Sequence, residues 1–216
     1  MHAYESFNPQ VLAAVPASAR RVLDVGCGCG GMGAEIRRRQ GADVTGVTFL
    51  PEEVEIASKV LDRVTAQDLN RFKPDGLGPF DCVMCSHVLE HLVDPGGFLR
   101  QLHPLLLPGA TLVVALPNVL FWRQRLRFLG GHFRYTQGGL MDATHLRFFD
   151  FESAQQMVAD AGYAVQSATV SGSFPLTRYL GGLGKVIDRV ALKAAPGAFG
   201  FQFIIVATHH GGKPAA

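Results

Sequence analysis

A chain of 216 residues, 48% hydrophobic and 18% charged, is long enough to bury a substantial core and is read as one domain over 1–216 with insertions. Twenty Lys and Arg against 18 Asp and Glu leave a formal charge of +2, which gives no overall electrostatic ground for a nucleic-acid partner. No basic segment followed by an apolar run opens the chain and no uninterrupted apolar stretch reaches spanning length, so the expectation is a cytoplasmic protein with no transmembrane segment.

Residues 1–20 carry Phe7, Val11, Leu12 and Val15 at helical spacing before Pro16, which predicts a short helix ahead of the first strand. That strand, Val22-Leu23-Asp24-Val25, runs into Gly26-Cys27-Gly28-Cys29-Gly30-Gly31-Met32-Gly33, a loop so poor in side chains that a ligand can lie against bare backbone. Gly26-x-Gly28-x-x-Gly31 matches a dinucleotide fingerprint, in which a pyrophosphate approaches a helix N-terminus. Asp24 discriminates: a carboxylate two residues before the first glycine is unwelcome beside a pyrophosphate and welcome beside a sulfonium or an amino group. The alternative is an aspartate that only caps the next helix. The run Leu-Asp-x-Gly-Cys-Gly-x-Gly resembles motif I of the class I S-adenosylmethionine-dependent methyltransferases. The resemblance implies an α/β, Rossmann-like fold: a seven-stranded, mostly parallel sheet with an antiparallel last strand and helices on both faces. It also implies S-adenosyl-L-methionine as cofactor, held by Asp24, Gly26, Gly28 and Gly30. Cys82 and Cys85 form a lone C-x-x-C inside a strand and, with Cys27 and Cys29, are read as reduced thiols and not as a metal site.

A helix over 33–40 ends in Arg37, Arg38 and Arg39, a dipole-compensating run. The next strand, residues 43–47, leads to Thr48, where most members of the family carry an acid for the ribose hydroxyls. Gly46-Val47-Thr48 resembles the corresponding stretch of cyclopropane fatty acid synthases, which bind the same cofactor without that acid. Thr48 with Glu52 or Glu53 is expected to stand in, with Phe49 beside them; ordinary helix-start acids are the alternative. A third strand over 64–69 places Gln67, Asp68 and Leu69 beside the adenine, the alternative for Asp68 being a turn.

Strand four, 80–85, continues as Ser86-His87-Val88-Leu89-Glu90-His91-Leu92-Val93-Asp94-Pro95, which resembles the family's next hallmark. Ligands of open parallel sheets lie at the strands' carboxyl ends, which puts Ser86, His87, Glu90 and His91 where methyl donor and acceptor meet. A helix over 94–103 and strand five, 111–116, follow. Residues 118–149, aromatic and basic, are read as a lid in which Arg123 and Arg127, with Arg125 and Arg134, clamp an anion or form a solvated face. Within the lid, Asp142-Ala143-Thr144-His145-Leu146-Arg147-Phe148-Phe149 resembles a segment of many small-molecule and glycan-pathway methyltransferases, which implies that Asp142, His145 and Arg147 border the acceptor pocket; the alternative is that Asp142 and Arg147 pin the lid as an ion pair. A helix over 151–161 and strand six follow. Residues 173–199 form a helical insertion whose stripe of Tyr179, Leu180, Leu183, Val186, Ile187 and Val190 is assigned to core packing, with a dimer face or membrane contact as alternatives. The last strand covers 201–207, and His209, His210 and the tail are expected to be disordered.

The expected function is methyl transfer to a small-molecule hydroxyl, such as a phenol, a sugar or a related metabolite. His91 or His145 serves as base, with His87 third; Glu90, Arg123, Asp142 and Arg147 bind the acceptor, and no metal is expected, the alternative being that Glu90 joins the histidines on a divalent metal as in the quinone-pathway O-methyltransferases the chain resembles. A homodimer is left open. The rival readings are a noncatalytic cofactor-binding module of the same fold and a nicotinamide-dependent oxidoreductase.

Overall fold

Aliphatic runs such as Val22-Leu23 and Cys82-Val83-Met84-Cys85 have no polar face, so their strands need cover on both sides. The computed structural model describes residues 7–175 and 177–209 and meets that need with a seven-stranded sheet. Its strands are β1 (Arg21–Val25), β2 (Asp43–Thr48), β3 (Arg63–Ala66), β4 (Phe80–Ser86), β5 (Leu106–Pro117), β6 (Tyr163–Gly172) and β7 (Gly200–His209). The order is β3-β2-β1-β4-β5-β7-β6, and β7 runs antiparallel to both its neighbours, as the family resemblance implied. The helices are α1 (Pro9–Ala14), α2 (Gly31–Gln40), α3 (Pro51–Ala57), α4 (Pro95–Gln101), α5 (Trp122–Leu129), α6 (Phe151–Asp160), α7 (Gly181–Ala194) and α8 (Pro196–Phe199).

Alternation along the strands sorts the core into two layers. Val22, Val44, Cys82, Met84 and Val113 pack with Val11 and Leu12 of α1, Ile36 of α2 and Ala57 of α3. Leu23, Val25, Val83, Cys85, Leu112 and Val114 face the other way, onto Phe98 and Leu99 of α4 and Ala154 and Val158 of α6. Register pairs Val25 with both Val47 and Cys85, so β1, β2 and β4 end side by side. From β1 the chain winds outward to β2 and β3, then returns to β4 on the opposite side of β1. That is the point where an open α/β sheet leaves a crevice.

The arginine run behaves as a helix-end face: Arg37 pairs with Asp62 at 2.7 Å, Arg38 with Glu35 at 2.6 Å, and Arg39 donates to the Leu12 carbonyl at 2.7 Å. Four expectations need correction. β3 stops at Ala66, because Asp68 turns the chain by accepting the Asn70 N–H at 2.9 Å. Phe7 stays exposed although Val11, Leu12 and Val15 are buried. His209 belongs to β7 and is buried, its ring 4.9 Å from that of His103, while His210 and the tail lie outside the described residues. The apolar stripe of 173–199 is not core: Leu183, Val186 and Val190 are exposed, since α7 turns its Gly184 side to the protein.

Candidate active site

The loop after β1 alternates its backbone: Gly26, Gly28 and Gly30 hold φ of +71°, +51° and +84°, values that L side chains rarely adopt. Gly26 is also sterically compelled, since a Cβ there would stand 2.3 Å from Cγ2 of Val88. The N–H groups of Gly26 and Cys27 donate to the Val47 carbonyl at 2.8 and 3.0 Å, tying the loop to the end of β2. Gly30 caps α2 without a side-chain hydrogen bond, which leaves the helix start as bare backbone. Burial drives the thiols of Cys27, Cys82 and Cys85 upward, so they stay protonated, as expected of reduced thiols.

Asp24 is only 3% exposed, and burial pushes its pKa up to about 7 against the lowering influence of the Gly33 backbone N–H. Its Oδ2 is buried and has no hydrogen-bond partner among the described residues, and the same holds for Oγ of Ser86 at the end of β4. A carboxylate in this condition costs free energy unless a donor reaches it. The amino group and charged end of the cofactor implied by the sequence are such donors, so the residues fit the group.

At the end of β2, Thr48 is buried and its hydroxyl donates to Oε2 of Glu53, on the first turn of α3. Glu53 is half-buried, whereas Glu52 is exposed. Of the two acids named from sequence, geometry selects Glu53. Phe49 next to them is 66% exposed. The Gln67 amide holds the 67–73 turn, accepting the Lys73 N–H at 2.9 Å and donating to the Lys73 carbonyl at 3.2 Å. Asp68 and the half-buried Leu69 follow β3 at the rim of the sheet.

Beyond Ser86 the chain makes a 3-10 turn, Leu89–His91, whose Glu90 is fully buried. The Glu90 carbonyl accepts the N–H groups of Leu146 and Arg147 at 2.8 and 3.0 Å, and the Arg147 guanidinium donates to the Val93 carbonyl at 2.6 and 3.0 Å. Arg147 therefore straps the lid to the β4 turn. The strap brings His145 and His91 together, ring centroids 4.8 Å apart.

The three histidines differ in what their nitrogens can do. His87, held at φ +55°, has Nδ1 3.3 Å from Glu90 Oε1 and Nε2 2.7 Å from Oε1 of Gln202. Burial pulls its pKa down, but the hydrogen bond and charge of Glu90, with Gln202, outweigh that and raise it. Facing acceptors at both nitrogens, His87 is held towards its protonated form, which disfavours it as a base. His145 places Nδ1 3.3 Å from the Leu140 carbonyl and Nε2 4.0 Å from Glu90 Oε1; burial above all lowers its pKa, so the ring is neutral. His91 is oriented best. Thr144 donates its hydroxyl to Asp142 Oδ1 at 2.7 Å, and His91 Nδ1 lies 3.1 Å from that hydroxyl and 3.2 Å from the Thr144 carbonyl. Both neighbours accept, so Nδ1 carries the proton and Nε2 is left as the basic nitrogen. Asp142 thereby holds Thr144 and His91 and is not free for an acceptor.

Sequence reasoning missed Thr144 and Gln202. A lone glutamine between Phe201 and Phe203 on an otherwise apolar strand was the available signal for the latter. Arg123 has its guanidinium 5.2 Å from the Trp122 ring centroid and makes no hydrogen bond or ring contact with the histidine cluster among the described residues. Glu90, His91 and His145 bring their ligating atoms within 4.8 Å of one another. Edges of about 3.3 Å are what zinc–nitrogen bonds of about 2 Å require, so the cluster is not closed around an ion as it stands.

The model of a family described as methyltransferase domain matches residues 3–168. The chain is 30% identical over 185 residues to a ubiquinone biosynthesis O-methyltransferase of Psychrobacter arcticus, covering 81% of this chain and 71% of that one. It is 39% identical over 114 residues to a protein of the same name from Xanthomonas campestris pv. campestris, covering 50% and 47%. A crystallised SAM-dependent methyltransferase of Archaeoglobus fulgidus superposes with a TM-score of 0.63 at 22% identity, over 89% of this chain and 87% of that one. The glycine loop at the switch point and these likenesses agree, and the chain belongs to the methyltransferase domain family, an enzyme family with S-adenosylmethionine as its methyl donor.

Proposed function

We propose that the chain is one cytoplasmic methyltransferase domain that transfers the methyl group of S-adenosylmethionine to a hydroxyl oxygen of a small molecule, with His91 as the general base. The relatives named as O-methyltransferases support oxygen as the acceptor atom. The observation that carries the base is the relay from Asp142 through the Thr144 hydroxyl to His91 Nδ1, which fixes the tautomer with Nε2 basic.

When bound, the donor supplies an electrophilic methyl carbon and its own leaving group. What remains for the protein is alignment, exclusion of water and removal of one proton. Asp24 meets the charged amino-acid end, Gly26, Gly28 and Gly30 admit the cofactor's close approach, and Ser86 lies alongside. Thr48 and Glu53 take the ribose hydroxyls, with Phe49 over the rim, and Asp68 and Leu69 border the adenine. His91 takes the proton of the acceptor hydroxyl as the oxygen attacks. Glu90, locked to His87 and beside His145, holds the wall on which the base sits.

Calorimetry with S-adenosylhomocysteine and with NAD tests the cofactor: the first binds, and tight NAD binding with none of the first overturns the reading. A phenolic probe such as catechol tests the chemistry. His91→Asn keeps S-adenosylhomocysteine affinity and lowers turnover roughly 100-fold or more, the usual worth of a general base. Unchanged turnover in that variant removes His91 from the mechanism. Product-cofactor binding with no turnover on any hydroxyl acceptor marks a noncatalytic module.

A further inference from the structure

Residues 173–199 leave the sheet and return to it at one point, where the Ser173 N–H donates to the Phe199 carbonyl at 3.1 Å and the rings of Phe174 and Phe199 lie 4.8 Å apart. Inside this excursion the rotation of α7 is fixed by two residues a turn apart. Gly184 presses on the Thr177 carbonyl so closely that a Cβ would stand 2.0 Å from it. Asp188 accepts the Phe174 N–H and the Thr177 hydroxyl, each at 2.7 Å. The opposite side therefore faces out. It carries Leu183, Val186 and Val190, exposed by 62%, 53% and 61%, flanked along one edge by the exposed Lys185, Arg189 and Lys193. Among the described residues none of these three cations is in an ion pair. The only acid of the helix, Asp188, is turned inward.

Helix α5 is tied to both ends of the same excursion, Trp122 donating to the Ser173 carbonyl at 3.0 Å and Arg125 to the Gly197 carbonyl at 3.4 Å. It repeats the chemistry: Leu126 and Leu129 are exposed by 60% and 85% beside exposed Arg123 and Arg127, and no Asp or Glu occurs between residues 118 and 141. We infer that α7, with α5 next to it, docks on an anionic lipid surface. An aliphatic stripe edged only by long cationic side chains suits that surface, because the stripe enters the acyl boundary while the ammonium and guanidinium groups reach the phosphates. A second copy of the chain suits it less, since a two-fold pairing sets the cations of one copy against those of the other. No helix of the described residues is long and apolar enough to cross a membrane, so α7 lies flat. This inference stands apart from the identity of the methyl acceptor.

Flotation of the full chain with vesicles tests it. Binding is expected to phosphatidylcholine vesicles containing about a quarter phosphatidylglycerol, to weaken in high salt, and to be absent from pure phosphatidylcholine. The triple variant K185E/R189E/K193E lowers partition about tenfold or more, and V186D/V190D abolishes it, both with S-adenosylhomocysteine affinity unchanged. The milder pair Leu183→Gln and Val186→Gln keeps the question answerable should the aspartates unfold α7. Failure of the wild-type chain to float with the anionic vesicles overturns the inference, as does equal flotation of the triple variant. So does a wild-type dimer in light scattering that V186D/V190D dissolves, because the stripe is then the dimer face.

Discussion

Asp24 is the residue on which cofactor recognition and stability pull in opposite directions. Its pKa, raised to about 7 by burial, means that below pH 7 the folded chain without ligand favours the protonated acid. A carboxyl group whose folded pKa is raised contributes stability at low pH and loses it as pH climbs from its ordinary value of 3.8 towards 7. A positively charged ligand end reverses the preference and must displace the proton. S-adenosylhomocysteine affinity in the wild-type protein is therefore expected to rise about tenfold between pH 6 and pH 8, following ionisation of a single group. The Asp24→Asn variant should bind at least tenfold more weakly at pH 8, show no such pH dependence, and melt no lower than wild type. Calorimetry across pH, paired with thermal melts of the ligand-free proteins, checks all three. A variant that melts well below wild type would make Asp24 a structural acid.

At the scale of elements, the proposed function draws its ribose-binding acid from the start of a helix and not from the end of a strand. β2 ends in Thr48, whose hydroxyl engages Glu53 of α3, and in the proposed function the two elements together present the carboxylate that the family resemblance places on one residue. Glu53→Gln should weaken S-adenosylhomocysteine about tenfold or more by discharging the acceptor of the ribose hydroxyls, Thr48→Val less, and Glu52→Gln not at all. Equal affinity for wild type and Glu53→Gln returns Glu53 to an ordinary helix-start acid. The sequence could name Glu52 and Glu53 but not choose, because both precede one turn of helix and only the side-chain direction separates them. Strands were legible for the opposite reason: burial on both faces leaves an unbroken aliphatic run that no loop requires. The stripe on α7 was misread because helical periodicity reveals an apolar face without revealing where it points. Gly184 decides that, through a backbone approach to Thr177 that leaves no trace in the pattern. The histidines were found as a group, yet their roles depended on Thr144, Gln202 and Leu140, partners between 5 and 115 residues away in the chain.

Across the whole molecule, β7 joins two histidine clusters whose protons are governed in opposite directions. Gln202, paired in register with Pro117, holds His87 at the carboxyl end of the parallel strands; His209, next to the Thr208 that pairs with Thr111, meets His103 at the amino end. His87 is raised by Glu90 and Gln202 in spite of burial, so its ion pair adds stability below its ordinary pKa of 6.5 and that contribution is lost as pH rises through the raised value. His103 is lowered by burial, then by the charges of His209 and Arg100, so protonation is easier in the unfolded chain and stability falls as pH drops below 6.5. Against the gains that Asp24 and His87 make as pH falls, this His103 loss should take a few degrees off the melting temperature between pH 7 and pH 5. His103→Phe, which keeps the ring contact with Tyr163 and removes the proton site, should remove that loss, gaining a few degrees relative to wild type at pH 5 over pH 7, and leave the alkaline limb as it was. His87→Gln should act on the alkaline limb alone, beyond any uniform loss from leaving Glu90 unpaired. Melts of the three proteins over one pH series separate the two ends of the strand; a His103→Phe variant whose difference from wild type is the same at pH 5 as at pH 7 would assign the acid loss to another group.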